Sequence, residues 1–492
     1  MAANHMLRFV ERNQSYPEKR SAEERARDFK EIAEKYAPQQ ADDQAARCSQ
    51  CGVPYCSVHC PLGNHIPDWL MLTAQGRLRE AYELSNATST MPEICGRICP
   101  QDRLCEGNCV IENSGHGAVT IGSVEKYITD TAWAEGWVEP VHVGPATGQS
   151  VGIIGAGPAG LTAAEYLRAA GHEVHIYDRQ DRAGGLLTYG IPGFKLEKPV
   201  VMRRIDRLQE AGIHFHLNFE VGRDQPLERL RQTHDAILIA TGVYKAREIH
   251  IAGKDKDGVI PALDYLITSN RKSFGDDVPA FDDGSLNAEG KHVVVIGGGD
   301  TAMDCVRTAV RQGAKSVKCL YRRDRSNMPG SQREVTNAEE EGVEFIWLSA
   351  PEAFLGESDD RGPDDREGKG KVARVSVAGM RLGPADASGR RSPEPDPSGN
   401  SELPADMVIK ALGFDPEELP YLFGAPDLSV TRWGTLRVDH QTMMTSLPGV
   451  FAAGDIVRGA SLVVWGIRDG RDVSTQIASW LEAKAVKAKA AA

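Results

Sequence analysis

Residues 151–160, Val-Gly-Ile-Ile-Gly-Ala-Gly-Pro-Ala-Gly, constrain this chain more than any other stretch, because an apolar strand runs straight into three spaced glycines and then into a helix. Gly155 suits a tight turn, Gly157 lets backbone approach a pyrophosphate, and Gly160 lets helix pack on strand. Pro158 and Ala159 lie between the last two, and a helix running to a stop at Gly171 would aim its unpaired N–H groups at the phosphates. A second strand over 172–178 ends in Asp178, where a ribose hydroxyl needs an acceptor. Strand, glycines, helix, strand and acid in this order separate the motif from an incidental glycine turn in some other α/β protein.

A second start of the same kind lies at 291–302, with Gly297, Gly299 and Ala302 at the key positions and Asp300 and Thr301 opening the helix. Two dinucleotide sites are therefore expected. The strand that follows, 316–321, ends in Arg322 and Arg323 instead of an acid. Arginine offers an adenosine 2′-phosphate a charged planar fork, whereas an acid would repel it. A solvated charge run is the plainer alternative.

Three further stretches belong with the first site. Residues 184–192 include Gly185 and Leu186 and are too rich in glycine for a helix, so a loop lying against a flat cofactor is expected. Residues 235–242 read as a buried strand whose end, Thr241 and Gly242, passes beneath a bound dinucleotide. Residues 449–455 read as another buried strand followed by Gly454 and Asp455. The Asp455 carboxylate can accept from a ribityl hydroxyl, with a helix-capping acid as the alternative.

Ten cysteines would suggest disulfides in a small secreted protein, but eight of them fall between Cys48 and Cys109 in a 492-residue chain without a signal-peptide core. The run Cys48, Cys51, Cys56, Cys60 is closed by Pro61 and answered by Cys95, Cys99, Cys105 and Cys109. Closely spaced thiolates followed by Cys-Pro are the bacterial ferredoxin style, although the four-residue gap before Cys56 departs from it. Two neighbouring [4Fe–4S] clusters with ligands exchanged between the runs are expected. Zinc would also explain Cys-x-x-Cys, but both runs carry Cys-Pro and a redox dinucleotide unit follows. Residues 66–85 and 121–133 read as helical, giving a small α-helical cluster domain. Cys305 and Cys319 read as simple buried thiols.

A net charge of −12 argues against a nucleic-acid partner. No apolar run of about 18 residues is present, so no membrane span is expected and a cytoplasmic address follows by default. Residues 17–36 have helical spacing and read as one amphipathic helix whose charges are a solvated face or dock on a partner. Residues 138–150 read as a linker, and 359–400 as loops around short strands such as 371–377.

At this level of detail the chain resembles the small-subunit family of bacterial NADPH-dependent glutamate synthases, from its N-terminal segment to Trp480. The likeness includes the stretches at 48–54, 92–106, 193–198 and 328–331; the last, Met-Pro-Gly-Ser, has no dinucleotide role that sequence alone supplies. The resemblance implies an α/β fold of two Rossmann-like dinucleotide-binding domains, like adrenodoxin reductase, plus an N-terminal α-helical iron–sulfur domain. Its implied boundaries are 1–149 for the clusters, 150–250 with 414–492 for a discontinuous FAD domain, and 251–413 for an NADPH domain. Residues 465–470, with Ile467, would lie near the flavin ring.

The similar dihydropyrimidine dehydrogenase implies Cys48, Cys51, Cys56 and Cys109 on one cluster and Cys60, Cys99 and Cys105 on the other. Glu125 stands where that relative has a glutamine ligand, and Cys95 is the rival fourth ligand. The implied function is oxidation of NADPH at FAD and delivery of electrons through the clusters. They would go to a large subunit, glutaminase and FMN-containing synthase, in a hetero-oligomer that makes glutamate from glutamine and 2-oxoglutarate. The alternative is an electron-input subunit of the same architecture for a ferredoxin or pyrimidine-reducing partner. Hydride transfer between cofactors needs orientation more than acid–base help, so no catalytic side chain is expected.

Overall fold

Apolar strands alternating with helices from residue 150 onward build two parallel five-stranded sheets, each with its own buried core. The structure, a computed structural model, describes residues 6–357, 370–386 and 391–491. In the first sheet the order is Val450–Ala452, Ala236–Ile239, Ser150–Ile154, Glu173–Tyr177, His214–His216. The strand nearest the C-terminus thus returns to a sheet begun three hundred residues earlier, pairing Val450 with Ile237. The second sheet runs Val259–Pro261, Met407–Lys410, His292–Ile296, Ser316–Tyr321, Glu344–Trp347. The chain crosses between units twice, and the crossings pair antiparallel, Lys245–Ala246 against Phe414–Asp415.

The long helix Val463–Ala491 lies on Pro158–Ala169, so closely at Gly470 that a Cβ there would stand 2.3 Å from the Ala159 carbonyl oxygen. An antiparallel sheet in which the long strand Arg374–Ala385 pairs with Ser349–Leu355, Arg391–Pro395 and Ser401–Pro404 flanks the second unit. The expected short strand at 371–377 is therefore a corrected reading: it belongs to a twelve-residue strand. Residues 358–369 and 387–390 of that region lie outside the described residues.

Ahead of the sheets, helices such as Ile66–Ala74, Leu78–Asn86, Pro92–Ile98 and Ile121–Ala134 surround a core that includes Trp69 and Val124. The first two divide one expected helical stretch at Gly76, whose φ of +72° suits glycine. This unit also shares a core with the first sheet, through Leu62, Met91 and Ile94. A bidentate ion pair fastens the junction: Arg204 donates to Glu93 at 2.6 and 2.8 Å, and both side chains are buried. Burial alone would raise the Glu93 pKa, but Arg204 and Arg203 outweigh it and hold the group below the usual range. Glu93→Ala strands the Arg204 charge, and a broken buried pair costs about 3–5 kcal/mol. The expected result is a markedly lower urea midpoint, measured against Glu23→Ala, whose exposed pair with Arg27 should matter little.

The N-terminal segment departs from expectation. Residues 17–36 are not one helix: only Ala22–Arg25 is helical, started by a Ser21–Glu24 capping box, and Lys19 bridges Ala33 across the bend. Nor are all of its charges solvated. Arg25 is buried against Glu340 and Glu341, and Glu31 pairs with Arg97 and Lys126. Phe29 meets Phe194 with ring centroids 6.2 Å apart. Distant ion pairs and packing override the helical spacing, and the segment is a strap across the units instead of one helix.

Candidate functional site

The first glycine turn behaves as its spacing requires. Gly155 has φ +108°, and a Cβ there would stand 2.4 Å from the Ala240 carbonyl oxygen; at Gly160 a Cβ would stand 2.0 Å from that of Gly155. Gly157, by contrast, has open space where its side chain would be and caps the helix Pro158–Ala169. That leaves helix N–H groups facing a cleft.

Two connected hollows flank this turn. One, of about 630 Å³, is lined by Asp178, Arg179, Val221, Tyr244 and Thr241. The other is lined by Gly155, Gly157, Pro158, Ala159, Leu186, Gly242, Gly454, Asp455 and Gly466. Asp178 lines both, its two oxygens accepting from the Ala156 and Gln180 N–H groups at 2.8 Å. Burial raises its pKa against those bonds. Asp455 accepts from the Ser461 hydroxyl at 2.7 Å. The Ile467 side chain is turned into the core of the unit, so only its backbone is available to a ligand beside Gly466. Residues 184–192 include a one-turn helix, Leu186–Tyr189, which corrects the expected loop; Gly185, at φ +54°, precedes it and lies against Gly157.

In the second unit Gly297 packs on the Ala411 carbonyl oxygen, Gly299 is open, and Ala302 is fully buried where helix meets strand. Thr301 lies in the first turn of Asp300–Arg311. The Asp300 carboxylate is committed elsewhere: it accepts from the Ser331 N–H at 3.0 Å and pairs with Arg103 at 3.2 Å. Gly330 donates its N–H to the Gly298 carbonyl at 2.9 Å. The Met-Pro-Gly-Ser stretch therefore braces the second glycine turn and ties it to the cluster domain. Arg322 is exposed and Arg323 half-buried at the strand end, whereas Arg325 is held by Glu339.

The cysteines separate into two groups. Burial pushes the Cys48 and Cys56 thiols up to about 11 and about 12, with Cys109 close to both of them and Cys51 close to Cys48. Cys60, Cys95, Cys99, Cys105 and Glu125 line a second cavity. Cys105 is near both Cys60 and Cys56, which joins the groups. Burial pushes the Glu125 carboxyl up to about 8, against a hydrogen bond from Ser85; Asn64 donates to the same oxygen at 3.2 Å.

These residues fit the cofactors they were expected to hold. The Thr241 hydroxyl oxygen is buried between the two hollows without a partner, and so is the Arg323 Nε at the second unit. Thiolates sharing one tetrahedral zinc would stand about 3.8 Å apart. Among the described residues no three of the eight thiols have sulfurs within 4.8 Å of one another.

The comparisons agree with this geometry. Residues 25–137 match the model described as dihydropyrimidine dehydrogenase domain II, 4Fe-4S cluster, and 149–483 match pyridine nucleotide-disulphide oxidoreductase. The glutamate synthase [NADPH] small chain of Azospirillum brasilense is 63% identical over 99% of this chain and 98% of its own. That of Escherichia coli K12 is 44% identical over 98% of this chain and 100% of its own. The chain belongs to the glutamate synthase small-chain family.

Like the rest of that family it is a pyridine-nucleotide oxidoreductase with a 4Fe-4S domain. Mycobacterium tuberculosis FprA, in a structure with NADPH, shares the fold at a TM-score of 0.57 and 20% identity, over 69% of this chain and 86% of FprA. For a glutamate synthase small chain, the residues that sequence reasoning missed are those brought in from other elements. Arg179, Val221, Tyr244 and Glu417 line the larger hollow from four separate segments. Only Arg179, next to Asp178, had a sequence signal. Among the described residues no helix is long and apolar enough to cross a membrane.

Proposed function

We propose that this chain is the electron-input subunit of a glutamate synthase, oxidising NADPH at FAD and passing electrons through two [4Fe–4S] clusters to a large subunit that makes glutamate from glutamine and 2-oxoglutarate. One observation carries the reading. Residues 461–463 border both the hollow beside Gly157 and the cleft where residues 97–102 of the cluster domain face Lys195, Asp300 and Glu334 of the dinucleotide units, and the next residue, Val464, lines the cavity of Cys60, Cys99 and Cys105. A bound flavin would accept electrons in pairs and release them singly. In this reading residues 150–250 and 414–492 hold FAD and 251–413 hold NADPH. Gly157 and the helix N-terminus receive the FAD pyrophosphate, Asp178 its ribose and Asp455 its ribityl chain. Gly299 and the helix from Asp300 receive the nicotinamide coenzyme, and Arg322 and Arg323 its 2′-phosphate. Cys48, Cys51, Cys56 and Cys109 hold the outer cluster, and Cys60, Cys99, Cys105 and Glu125 the inner one.

The high identity over the whole length to glutamate synthase small chains favours this partner over a ferredoxin or pyrimidine-reducing one. Purified, cofactor-loaded chain is expected to oxidise NADPH with an artificial acceptor yet form no glutamate, and to form it once a large subunit is added. Glutamine-dependent glutamate formation by the chain alone would overturn the proposal.

A further inference from the structure

The outer edge of the first sheet carries a group of side chains that the proposed redox function does not use. Glu173 and His175 stand two apart on one strand and so project from the same face. The parallel neighbour His214–His216 pairs His214 with His175 and His216 with Tyr177, which adds two more imidazoles to that face. On the next strand the position facing His175 is Gly152, whose missing side chain leaves space for the His234 ring, 4.9 Å from that of His175.

We propose that Glu173, His175 and His214 bind one borderline divalent metal ion, of the zinc, nickel or cobalt class. Their ligand atoms all lie within 4.8 Å of one another, and among the described residues no other His, Cys, Asp and Glu side chains gather three ligands so closely. Ligands around one tetrahedral ion stand about 3.3 Å apart, so small side-chain rotations close the set. His175 Nε2 already lies 3.0 Å from a Glu173 oxygen. Its other nitrogen, Nδ1, lies 3.0 Å from His216 Nε2. A metal on Nε2 leaves the proton on Nδ1, and His216 is placed to accept it, the outer hydrogen bond that orients a metal-binding imidazole. The His175 and His214 rings are stacked with centroids 4.7 Å apart, and the Tyr177 ring stacks on His216 at 4.5 Å, so the imidazoles are held in place from behind.

Two imidazoles and one carboxylate suit borderline divalent ions, not the calcium or magnesium that all-oxygen sites take. Three protein ligands at a half-exposed edge leave the remaining positions to water. Along its strand the site runs from Glu173, about 16 Å from Asp178 for five extended residues, to His175, about 10 Å away for three, and His214 pairs with His175. Its role is therefore structural: the ion clips the short strand His214–His216 to the sheet.

The test uses full-length chain with flavin and clusters loaded, dialysed against Ni²⁺ and, separately, Zn²⁺, with bound metal and iron both measured. The wild type is expected to bind one added ion per chain without losing iron, and its melting temperature should rise. His175→Ala and His214→Ala should each weaken binding at least tenfold and abolish the melting shift, while His440→Ala leaves both unchanged. His216→Ala should weaken binding about ten- to a hundredfold, and His216→Gln, which keeps an acceptor, should recover most of it. Unchanged binding in both His175→Ala and His214→Ala, or no stoichiometric binding by the wild type, would overturn the assignment. Flavin and iron content show that each variant is folded.

Discussion

Cys105→Ser is expected to strip about half of the bound iron and to leave the chain able to accept electrons from NADPH but unable to pass them to a large subunit. The thiol is half-buried, and burial, reinforced by Glu106 and Cys60, raises its pKa well above the ordinary range. Such a thiol ionises only when a metal replaces its proton, so cluster binding and local folding are linked. The same cavity holds both candidates for the fourth ligand. Cys95 and Glu125 both border it, but Cys95 has a hydroxyl partner, Ser89, at 3.9 Å, whereas the Glu125 carboxyl is buried without a cation beside it. An iron ion would supply that cation and favour the ionised carboxylate. Glu125→Ala should therefore lose the inner cluster while Cys95→Ser keeps both, read out as iron and acid-labile sulfide per flavin. The reverse pattern would hand the ligand role to Cys95.

The second large effect concerns coenzyme choice. Arg322→Ala with Arg323→Ala should raise the KM for NADPH by about ten- to a hundredfold, because each lost charged hydrogen bond is worth about 1.5–3 kcal/mol. The KM for NADH should move less than about twofold, since it lacks the 2′-phosphate. The buried, partnerless Arg323 Nε and the commitment of neighbouring Arg325 to Glu339 make this pair the available cation at the strand end. Equal losses for both coenzymes would remove the pair from the site. Arg325→Ala is the control, expected to leave both KM values within about twofold.

What could be read from the sequence is what neighbouring residues decide among themselves. Gly155, Gly157 and Gly160 perform their separate tasks within one turn and the strands beside it, so their spacing together with the flanking strands, helix and acid announced a dinucleotide fold, and Gly297 and Gly299 do the same in the second unit. The cysteine runs were legible for a similar reason, since a cluster domain declares its ligands by type and spacing. For the second half of the first unit the sequence offered a buried strand with Asp455 after it, and family likeness supplied the discontinuous domain: nothing local to Val450–Ala452 says that it pairs with Ala236–Ile239.

The tertiary structure alone decided the rest. Residues 17–36 have the spacing of an amphipathic helix, yet Arg25 finds its carboxylate 315 residues away on Glu340, and a local pattern cannot tell a solvated charge from one paired at that distance. The 193–198 and 328–331 stretches carried no chemistry as sequence. In the fold, Lys195 pairs with Asp304 at 2.9 Å, Phe194 lies under Arg307 and Arg311, and Gly330 and Ser331 hold the second glycine turn. Local sequence determined which turns can receive a phosphate. Long-range packing determined how those turns, the cluster cavity and residues 461–464 come to share one centre, because that depends on contacts between segments that no spacing relates.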